Sequence, residues 1–206
     1  NYKYINRFDA CWIMDDKVNN LAGNLSMPKK IPNNAIYIGP QSRFKYQKSE
    51  KKYDFLAIVS GPEPQRTILE KGLINALKDR KEKSLIILGK PEVNKTKEIG
   101  SLIIQSHLNA KDLNSIMLSS ELIICRPGYS TIMDLVMLEK NAFFIPTPGQ
   151  TEQEYLANYF FKKNIIYMQK QNDFNFELGV EKHKEYSGFR KIKQTPVDWV
   201  ELFSLF

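Results

Sequence analysis

The sequence predicts an α/β fold, a doubly wound parallel sheet with helices covering both of its faces. From about Asp54 onward, short apolar runs alternate with amphipathic stretches of helical length, which is the pattern of β-α-β units. The apolar runs are continuous, as expected of strands that are buried on both faces. We expect strands within residues 55–60, 84–88, 102–104, 122–125, 142–145 and 165–168. We expect helices within residues 65–80, 131–140 and 151–163, and Ile68 on the buried face of the first.

The length of 206 residues corresponds to about 1.4 domains, at about 150 residues per domain. The chain starts on Asn1 and soon reaches the apolar segment 8–15, which we interpret as a buried strand, so we expect a piece of a larger protein. We expect three regions: the tail of a preceding domain and a linker at 1–35, the doubly wound domain at 36–168, and an extension with a terminal helix at 169–206.

Composition and charge exclude several classes of protein. With 42% hydrophobic and 26% charged residues the chain is globular, and no apolar stretch reaches the roughly 18 residues of a membrane span. Cys11 and Cys125 cannot form a disulfide framework, and no secretory segment opens the chain, so we expect a cytoplasmic setting. The net charge of +7 leaves two alternatives, a nucleic-acid binder or a basic surface that can lie against anionic lipid at the inner face of a membrane.

The first of three unusual strand-to-helix junctions spans residues 60–67. Ligands of open α/β sheets lie beyond the carboxyl ends of the strands, where helices begin. Gly61 permits a tight turn, and Arg66 adds a positive charge to the free N–H groups of the helix start. The alternative is a helix start that is merely stiffened by Pro62 and Pro64.

The second junction spans residues 125–131. Gly128 lets the chain turn off the strand, and we expect Ser130 or Thr131 to cap the following helix and form an anion site beside Arg126. Asp134, one turn into the helix, could accept hydrogen bonds from vicinal hydroxyls. The alternative is a capping box formed by Thr131 and Asp134.

The third junction spans residues 146–154, and its helix start is rich in amide, hydroxyl and carboxylate groups. Such groups suit a polyhydroxylated ligand because each can fix a hydroxyl. Here too a capping box, Thr151 with Glu154, is an alternative. Together the three junctions indicate an anion, a diol and a polar ring, which describes a nucleotide-sugar.

The segments 124–131, 144–146 and 153–155, together with Asp134, resemble the C-terminal domain of family 28 glycosyltransferases. This family is typified by the GlcNAc transferase that makes the peptidoglycan precursor lipid II. The resemblance implies a Rossmann-like domain, the C-terminal half of a GT-B fold, which binds a UDP-sugar donor. The first forty-odd residues would then be the end of the N-terminal domain and the linker, and most of that domain would be missing.

The family's binding residues fall on specific positions of this sequence. The diphosphate residues are Arg126, Gly128, Tyr129, Ser130 and Thr131, with Gly61 and Arg66 from the first junction. The ribose-binding acid is Asp134, and the base-contacting segment is His107 and Leu108. The residues for the sugar are Gln150, Thr151, Gln153 and Glu154. The chain departs from the family at Glu154, which replaces a Gln, and at Pro62 and Pro64, which remove two N–H donors.

The resemblance also implies a mechanism and a set of partners. An acceptor hydroxyl would displace UDP directly, with no cofactor and no metal, since no Asp-x-Asp pair stands at a strand end. The general base would lie in the missing N-terminal domain, so this chain alone would bind the donor without turning it over and would expose apolar surface at its last helix. The acceptor stays open and could be lipid-linked. A nucleotide-sugar epimerase or hydrolase of the same fold is the alternative activity, and we expect no nucleic-acid partner.

Overall fold

The computed structural model describes residues 2–190, 192 and 197–204, and its central feature is a seven-stranded sheet. The strands are Cys11–Ile13 (β1), Ala35–Tyr37 (β2), Tyr53–Ile58 (β3), Ser84–Ile87 (β4), Thr96–Ile99 (β5), Leu102–Gln105 (β6), Ser120–Cys125 (β7), Ala142–Phe144 (β8) and Tyr167–Met168 (β9). The helices are Tyr2–Ile5 (α1), Gln65–Leu77 (α2), Ala110–Leu118 (α3), Tyr129–Met137 (α4), Thr151–Lys162 (α5), Phe176–Lys182 (α6) and Trp199–Phe203 (α7). Single 3₁₀ turns lie at Gly23–Leu25, Gln171–Asp173 and His183–Glu185.

The large sheet has the order β5-β6-β4-β3-β7-β8-β9, in which only the β5–β6 pair is antiparallel. The chain runs outward from β3 to β6 on one side and then returns to β7 on the other side of β3. This reversal between β3 and β7 is a topological switch point, the place where open α/β sheets bind ligands. The prediction of a doubly wound α/β fold is confirmed.

Helices cover both faces of the sheet and form two apolar clusters. On one face, α3, α4 and α5 pack against side chains such as Leu56 and Ile123. On the other face, α2 and α6 pack against Ala57 and Ile124, the next residues along the same strands. The continuous apolar runs of the sequence follow from this double burial, because successive side chains of a strand point to opposite faces.

Several elements differ from the expected ones. The β5 strand was not predicted, since it has a single apolar residue and its other three residues are polar or charged and exposed at the edge of the sheet. The α6 helix lies in a segment that reads as irregular, and α4 begins two residues before the predicted start. Ile68 is 50% exposed, so it lies outside the buried stripe of α2, which consists of Leu69, Leu73 and Leu77. A shorter stripe with four-residue spacing is enough to hold this helix on the sheet.

The N-terminal segment forms a small unit of its own. Its strands β1 and β2 pair in parallel, and Trp12 is 38% exposed, so the expected buried strand at 8–15 is short and only partly covered. The fully buried carboxylate of Asp15 organises the following loop by accepting hydrogen bonds from the N–H groups of Leu21 and Ala22 at 2.8 and 3.0 Å. Ile36 belongs to β2 of this small sheet, whereas the large sheet begins at Tyr53.

Tyrosine hydroxyls join this N-terminal unit to the large sheet. Tyr159 of α5 donates to the carbonyl of Asn20, and Tyr155 of the same helix accepts from the N–H of Asn24 at 2.7 Å. At the other end of the chain, Phe203 of α7 packs edge-on against Trp12, with ring centroids 5.5 Å apart. The last two residues of the predicted terminal helix lie outside the described residues. In the described part of the chain no helix combines the length and apolarity that a membrane crossing requires.

Candidate functional site

The residues predicted to bind a ligand lie along one edge of the large sheet, where the parallel strands end. Gly61 and Arg66 follow β3, Arg126 follows β7, and the loop with Thr147 follows β8. Direct contacts join these loops, since Arg126 reaches the start of α2 and Thr147 lies against Gly61. The structure therefore brings the three predicted junctions together at the switch point.

Arg126 has a different place from the one expected. The residue is 1% exposed, and one guanidinium nitrogen donates to the carbonyls of Ile145 and Pro146 at 2.9 and 3.0 Å. The other terminal nitrogen donates to the carbonyl of Gln65 at 3.2 Å and to the side-chain oxygen of Gln171. Burial lowers the pKa of Arg126 to about 10. These hydrogen bonds occupy the two terminal nitrogens and hold the ends of β7, β8 and α2 together, whereas the buried Nε has no partner within the described residues. The role of the side chain as a diphosphate ligand stays a prediction.

The start of α4 is open. Gly128 is the N-cap residue and makes no side-chain hydrogen bond, so the prediction that Ser130 or Thr131 caps this helix is wrong. Ser130 is exposed, Gly128 and Thr131 are half-buried, and the first turn contains no acidic residue. The first N–H groups of a helix lack partners within the helix and carry the positive end of its dipole. The start of α4 is thus suited to an anion through backbone groups of Tyr129, Ser130 and Thr131.

Asp134 lies on the second turn of α4 and is half-buried. Its Oδ1 accepts a hydrogen bond from the hydroxyl of Ser42, which belongs to the segment between β2 and β3. Burial raises the pKa of Asp134, and the Ser42 hydrogen bond and the charge of Arg43 oppose this change. The capping-box alternative with Thr131 fails, because Thr131 is the third residue of the helix rather than its cap.

Tyr129 ties the start of α4 to the N-terminal unit. Its hydroxyl donates to the carbonyl of Met14 at 2.6 Å. Burial and the nearby Asp15 carboxylate raise the pKa of Tyr129. Because the hydroxyl is held in this way, an anion at this helix start is within reach of the backbone N–H of Tyr129 rather than of its side chain.

The β3–α2 loop carries its own carboxylate. Gly61 adopts a φ of +102°, a conformation that favours glycine, and the helix begins after Pro64. Arg66 donates to Glu63 from Nε and Nη2, both at 2.9 Å, and the N–H of Thr67 donates to the same carboxylate at 3.2 Å. Both the charge and a helix N–H that were expected to contact a diphosphate are paired with Glu63.

The β8–α5 loop positions the polar residues expected to hold a sugar. Gln153 accepts from the N–H of Thr147 at 2.9 Å and donates to the side chain of Gln150, while Glu154 accepts from the N–H of Gly149 at 3.0 Å. The α5 N-cap residue is Gln150 and makes no side-chain cap, so the predicted box of Thr151 with Glu154 does not form. Thr151 itself is exposed. These contacts fix the loop. Of the two carboxylate oxygens of Glu154, Oε1 is the one that accepts from the loop.

A cavity of about 400 Å³ extends the site beyond β8 toward β9. Its lining includes Pro148, Glu154, Asn158 and Lys170. Sequence reasoning missed Asn158 and Lys170, since neither lies in a recognisable motif, and it also missed Ser42. The one available signal was position, because Lys170 follows the last strand at the same edge of the sheet.

His107 and Leu108 lie farther along the same edge, after β6. His107 Nδ1 lies 3.0 Å from the carbonyl of Val93, and since a carbonyl only accepts, this nitrogen is the donor. Leu108 is half-buried against the apolar cluster on that face. In the sheet β6 is two strands from β3, which at about 4.8 Å per strand places the pair roughly 10 Å from the switch point. In the described residues no cluster of three or more His, Cys, Asp and Glu side chains could hold a metal ion.

The fold is that of a Rossmann-like domain, with a doubly wound sheet whose switch point lies between β3 and β7. The open start of α4 lies at this switch point. Comparison with protein families gives the particular family. The model described as "Glycosyltransferase family 28 C-terminal domain" matches residues 64–186, more than half of the chain, and the chain belongs to this family. A comparison with curated proteins finds no match.

Solved structures of glycosyltransferases share the fold at low sequence identity. The glycotransferase of kitacinnamycin is 14% identical with a TM-score of 0.58, over 89% of this chain and 50% of that one. MurG of Acinetobacter baumannii is 15% identical with a TM-score of 0.55, over 86% and 56%. SnogD of Streptomyces nogalater is 11% identical with a TM-score of 0.52, over 82% and 52%. The chain thus spans about half the length of each of these three structures.

Proposed function

We propose that this chain is the donor-binding part of a glycosyltransferase and that its donor is a UDP-sugar. The observation that carries the proposal is the pairing of an open helix start with the half-buried carboxylate of Asp134 on the same helix, α4. Of the three helix starts at this sheet edge, α5 has two acids in its first turn and α2 has the Glu63 carboxylate bonded to the N–H of Thr67, whereas the first turn of α4 contains no acid. Asp134, held by Ser42, lies on the next turn of the same helix.

The remaining parts of a UDP-sugar follow from this anchor. The diphosphate binds at the backbone N–H groups of residues 128–131, the ribose diol at Asp134, and the base toward His107 and Leu108. The sugar then lies by the β8–α5 loop, where Glu154 and the cavity beside it offer a carboxylate, an amide and an amine. UDP is the expected nucleotide because of the family to which the chain belongs.

The chemistry that this site supports is departure of the nucleoside diphosphate. As an acceptor hydroxyl attacks the anomeric carbon, negative charge grows on the leaving phosphate, and the positive end of the α4 dipole stabilises it. Gln150, Thr151 and Gln153 position the sugar for this displacement. The acceptor and the general base belong to the part of the enzyme outside this chain, and we expect this chain to bind the donor without turnover.

Thermal unfolding with nucleotides tests the proposal. At about 100 times the Kd, UDP should raise the free energy of unfolding by about 2.7 kcal/mol. UMP should stabilise less, since it lacks one phosphate, and GDP and dTDP should stabilise less if the base is read as expected. Comparing UDP with its 2′-deoxy form tests the ribose contact directly, because the deoxy form lacks one of the two hydroxyls.

Asp134→Ala should weaken UDP binding and abolish the difference between UDP and 2′-deoxy-UDP, whereas Asp79→Ala, at an exposed acid in the turn after α2, should change neither. Equal stabilisation by UDP in the Asp134 variant and the wild type would remove Asp134 from the site. A preference for GDP would keep the donor site and correct the base. A preference for dTDP, which lacks the 2′-hydroxyl, would correct the base and also contradict the ribose-diol contact. No stabilisation by any of the nucleotides contradicts the proposal for this chain.

A further inference from the structure

Glu63 supplies an anion to the first turn of α2. Its Oε1 accepts from Arg66 Nε and Nη2, both at 2.9 Å, and its Oε2 accepts from the N–H of Thr67 at 3.2 Å. Each carboxylate oxygen therefore has a donor, one from a guanidinium and one from a helix start. These are the two kinds of donor that bind phosphate oxygens in proteins.

The carboxylate is charged at neutral pH. Hydrogen bonds from Thr67 and Arg66 hold the pKa of Glu63 below its ordinary value. Glu63 therefore neutralises the charge of Arg66 and the positive end of the α2 dipole. The flanking residues Pro62 and Pro64 have no N–H group, so the loop itself adds few donors that could bind a second anion beside the carboxylate.

The ion pair of Glu63 with Arg66 lies next to the proposed diphosphate site. Arg126 after β7 donates to the carbonyl of Gln65 on α2, so the starts of α2 and α4 are held side by side at the switch point. Beside Gly61 of the β3–α2 loop, the Thr147 hydroxyl is buried and has no hydrogen-bond partner within the described residues. A buried hydroxyl without a partner is costly, and a ligand oxygen entering beside the β3–α2 loop would supply that partner.

We propose that Glu63 competes with the diphosphate of the donor for Arg66 and the start of α2. Without donor the carboxylate occupies these groups, and on binding the diphosphate displaces it, so that Arg66 passes from Glu63 to a phosphate oxygen. The inference rests on the proposed function, because it assumes that a nucleoside diphosphate binds at this edge. It goes beyond that function by assigning Glu63 as the residue that limits diphosphate affinity.

The expected effect is moderate in size. The side chains of Glu63 and Arg66 are 48% and 22% exposed, so solvent screens their attraction and the carboxylate can leave at small cost. Replacing Glu63 with Gln should therefore tighten UDP binding by about 1.5- to fivefold, the range expected for a partly exposed ion pair. Uridine, which has no phosphate, should bind equally well to wild type and to Glu63→Gln.

Calorimetric titration of the whole chain with UDP and with uridine provides the test. Glu63→Gln keeps the shape of the side chain and its capacity to accept from Thr67 while removing the charge. Glu177→Gln is the matched control, because Glu177 lies in the first turn of α6 and also pairs with an arginine, Arg80. This pair lies near the opposite edge of the sheet, away from the proposed diphosphate site. The double variant Glu63→Gln with Arg66→Gln removes the group for which the two anions compete.

Tighter UDP binding in Glu63→Gln, lost in the double variant and absent in Glu177→Gln and with uridine, supports the proposal. Unchanged or weaker UDP binding in Glu63→Gln, with wild type still binding UDP, overturns the competition and leaves the proposed function standing. If neither wild type nor Glu177→Gln binds UDP, the proposed function fails for this chain and the competition fails with it.

Discussion

Replacing Arg126 with Met should cost folding stability rather than only ligand affinity. Methionine keeps much of the apolar stem but has no donor, so the carbonyls of Ile145 and Pro146 and the side-chain oxygen of Gln171 each lose the guanidinium. The Gln65 carbonyl loses it as well, yet that carbonyl lies inside a helix, where the N–H four residues on also donates to it. Three acceptors therefore lose their donor, and water cannot easily replace it, because the Arg126 side chain that serves them is only 1% exposed.

The magnitude follows from these three acceptors. A buried acceptor left without a donor costs about 1–3 kcal/mol, so three of them give at least about 3 kcal/mol. Removal of the buried charge offsets part of this, because burial already lowers the pKa of Arg126 to about 10. We expect the free energy of unfolding to fall by about 3 kcal/mol, which for a chain of this length lowers the Tm by about 6–12 °C.

Urea unfolding followed by circular dichroism measures the change, with Arg7→Met as the control, because Arg7 is exposed. The unfolding free energy of Arg126→Lys should lie between those of Arg126→Met and wild type, since an ammonium group can donate to some of the same carbonyls from a single point. A structural role for Arg126 is contradicted if the unfolding free energy of Arg126→Met lies within about 0.5 kcal/mol of that of wild type while UDP binding is lost. The guanidinium would then act on the ligand, as the sequence alone suggested.

Three further substitutions test the packing and the electrostatics. Burial and the charge of Arg190 lower the pKa of Lys140 to about 8, whereas in the unfolded chain it is about 10.4. Between about pH 8 and 10 the unfolded chain binds more protons at this lysine, so its contribution makes the unfolding free energy rise with pH, and Lys140→Met should remove that rise in urea titrations at pH 7.5, 9 and 10. Gly179→Ala should lower the Tm, at a cost of about 1–3 kcal/mol, because the new Cβ would lie 2.2 Å from a ring carbon of Phe143. Gly72→Ala should act in the opposite direction by up to about 1 kcal/mol, since it lies inside α2 with ordinary contacts to Phe174, and an equal response of both glycines would contradict the packing.

The sequence predicted the strands of the large sheet well because their signal is local. Runs such as residues 85–87 and 122–125 are apolar over their whole length, and only burial on both faces accounts for this. The edge strand β5 has no such signal, because three of its four residues are exposed and it pairs with β6 alone. Its formation depends on the backbone of β6, which no pattern within residues 96–99 records.

The start of α4 shows a different limit. Serine and threonine are the usual N-cap residues, and Ser130 and Thr131 were therefore expected at the cap. In the structure Gly128 takes that position in an extended conformation, and the two hydroxyl residues fall within the first turn. Local preference thus placed the helix two residues late, and it hid the property on which the proposed function depends, an uncapped helix start.

The roles of the charged site residues depend on contacts between distant parts of the chain. Arg126 meets groups that lie 61 and 45 residues away in sequence, and Asp134 meets Ser42 at a separation of 92. A motif can state that an arginine ends a strand, but the direction of its guanidinium depends on which carbonyls the fold brings to that strand end. Glu63 shows the converse case, because its partners Arg66 and Thr67 lie three and four residues away and are set by the local turn. The local carboxylate therefore competes for one predicted anion contact and the long-range network engages another, which leaves the backbone of α4 as the part of the site where a diphosphate meets the least competition.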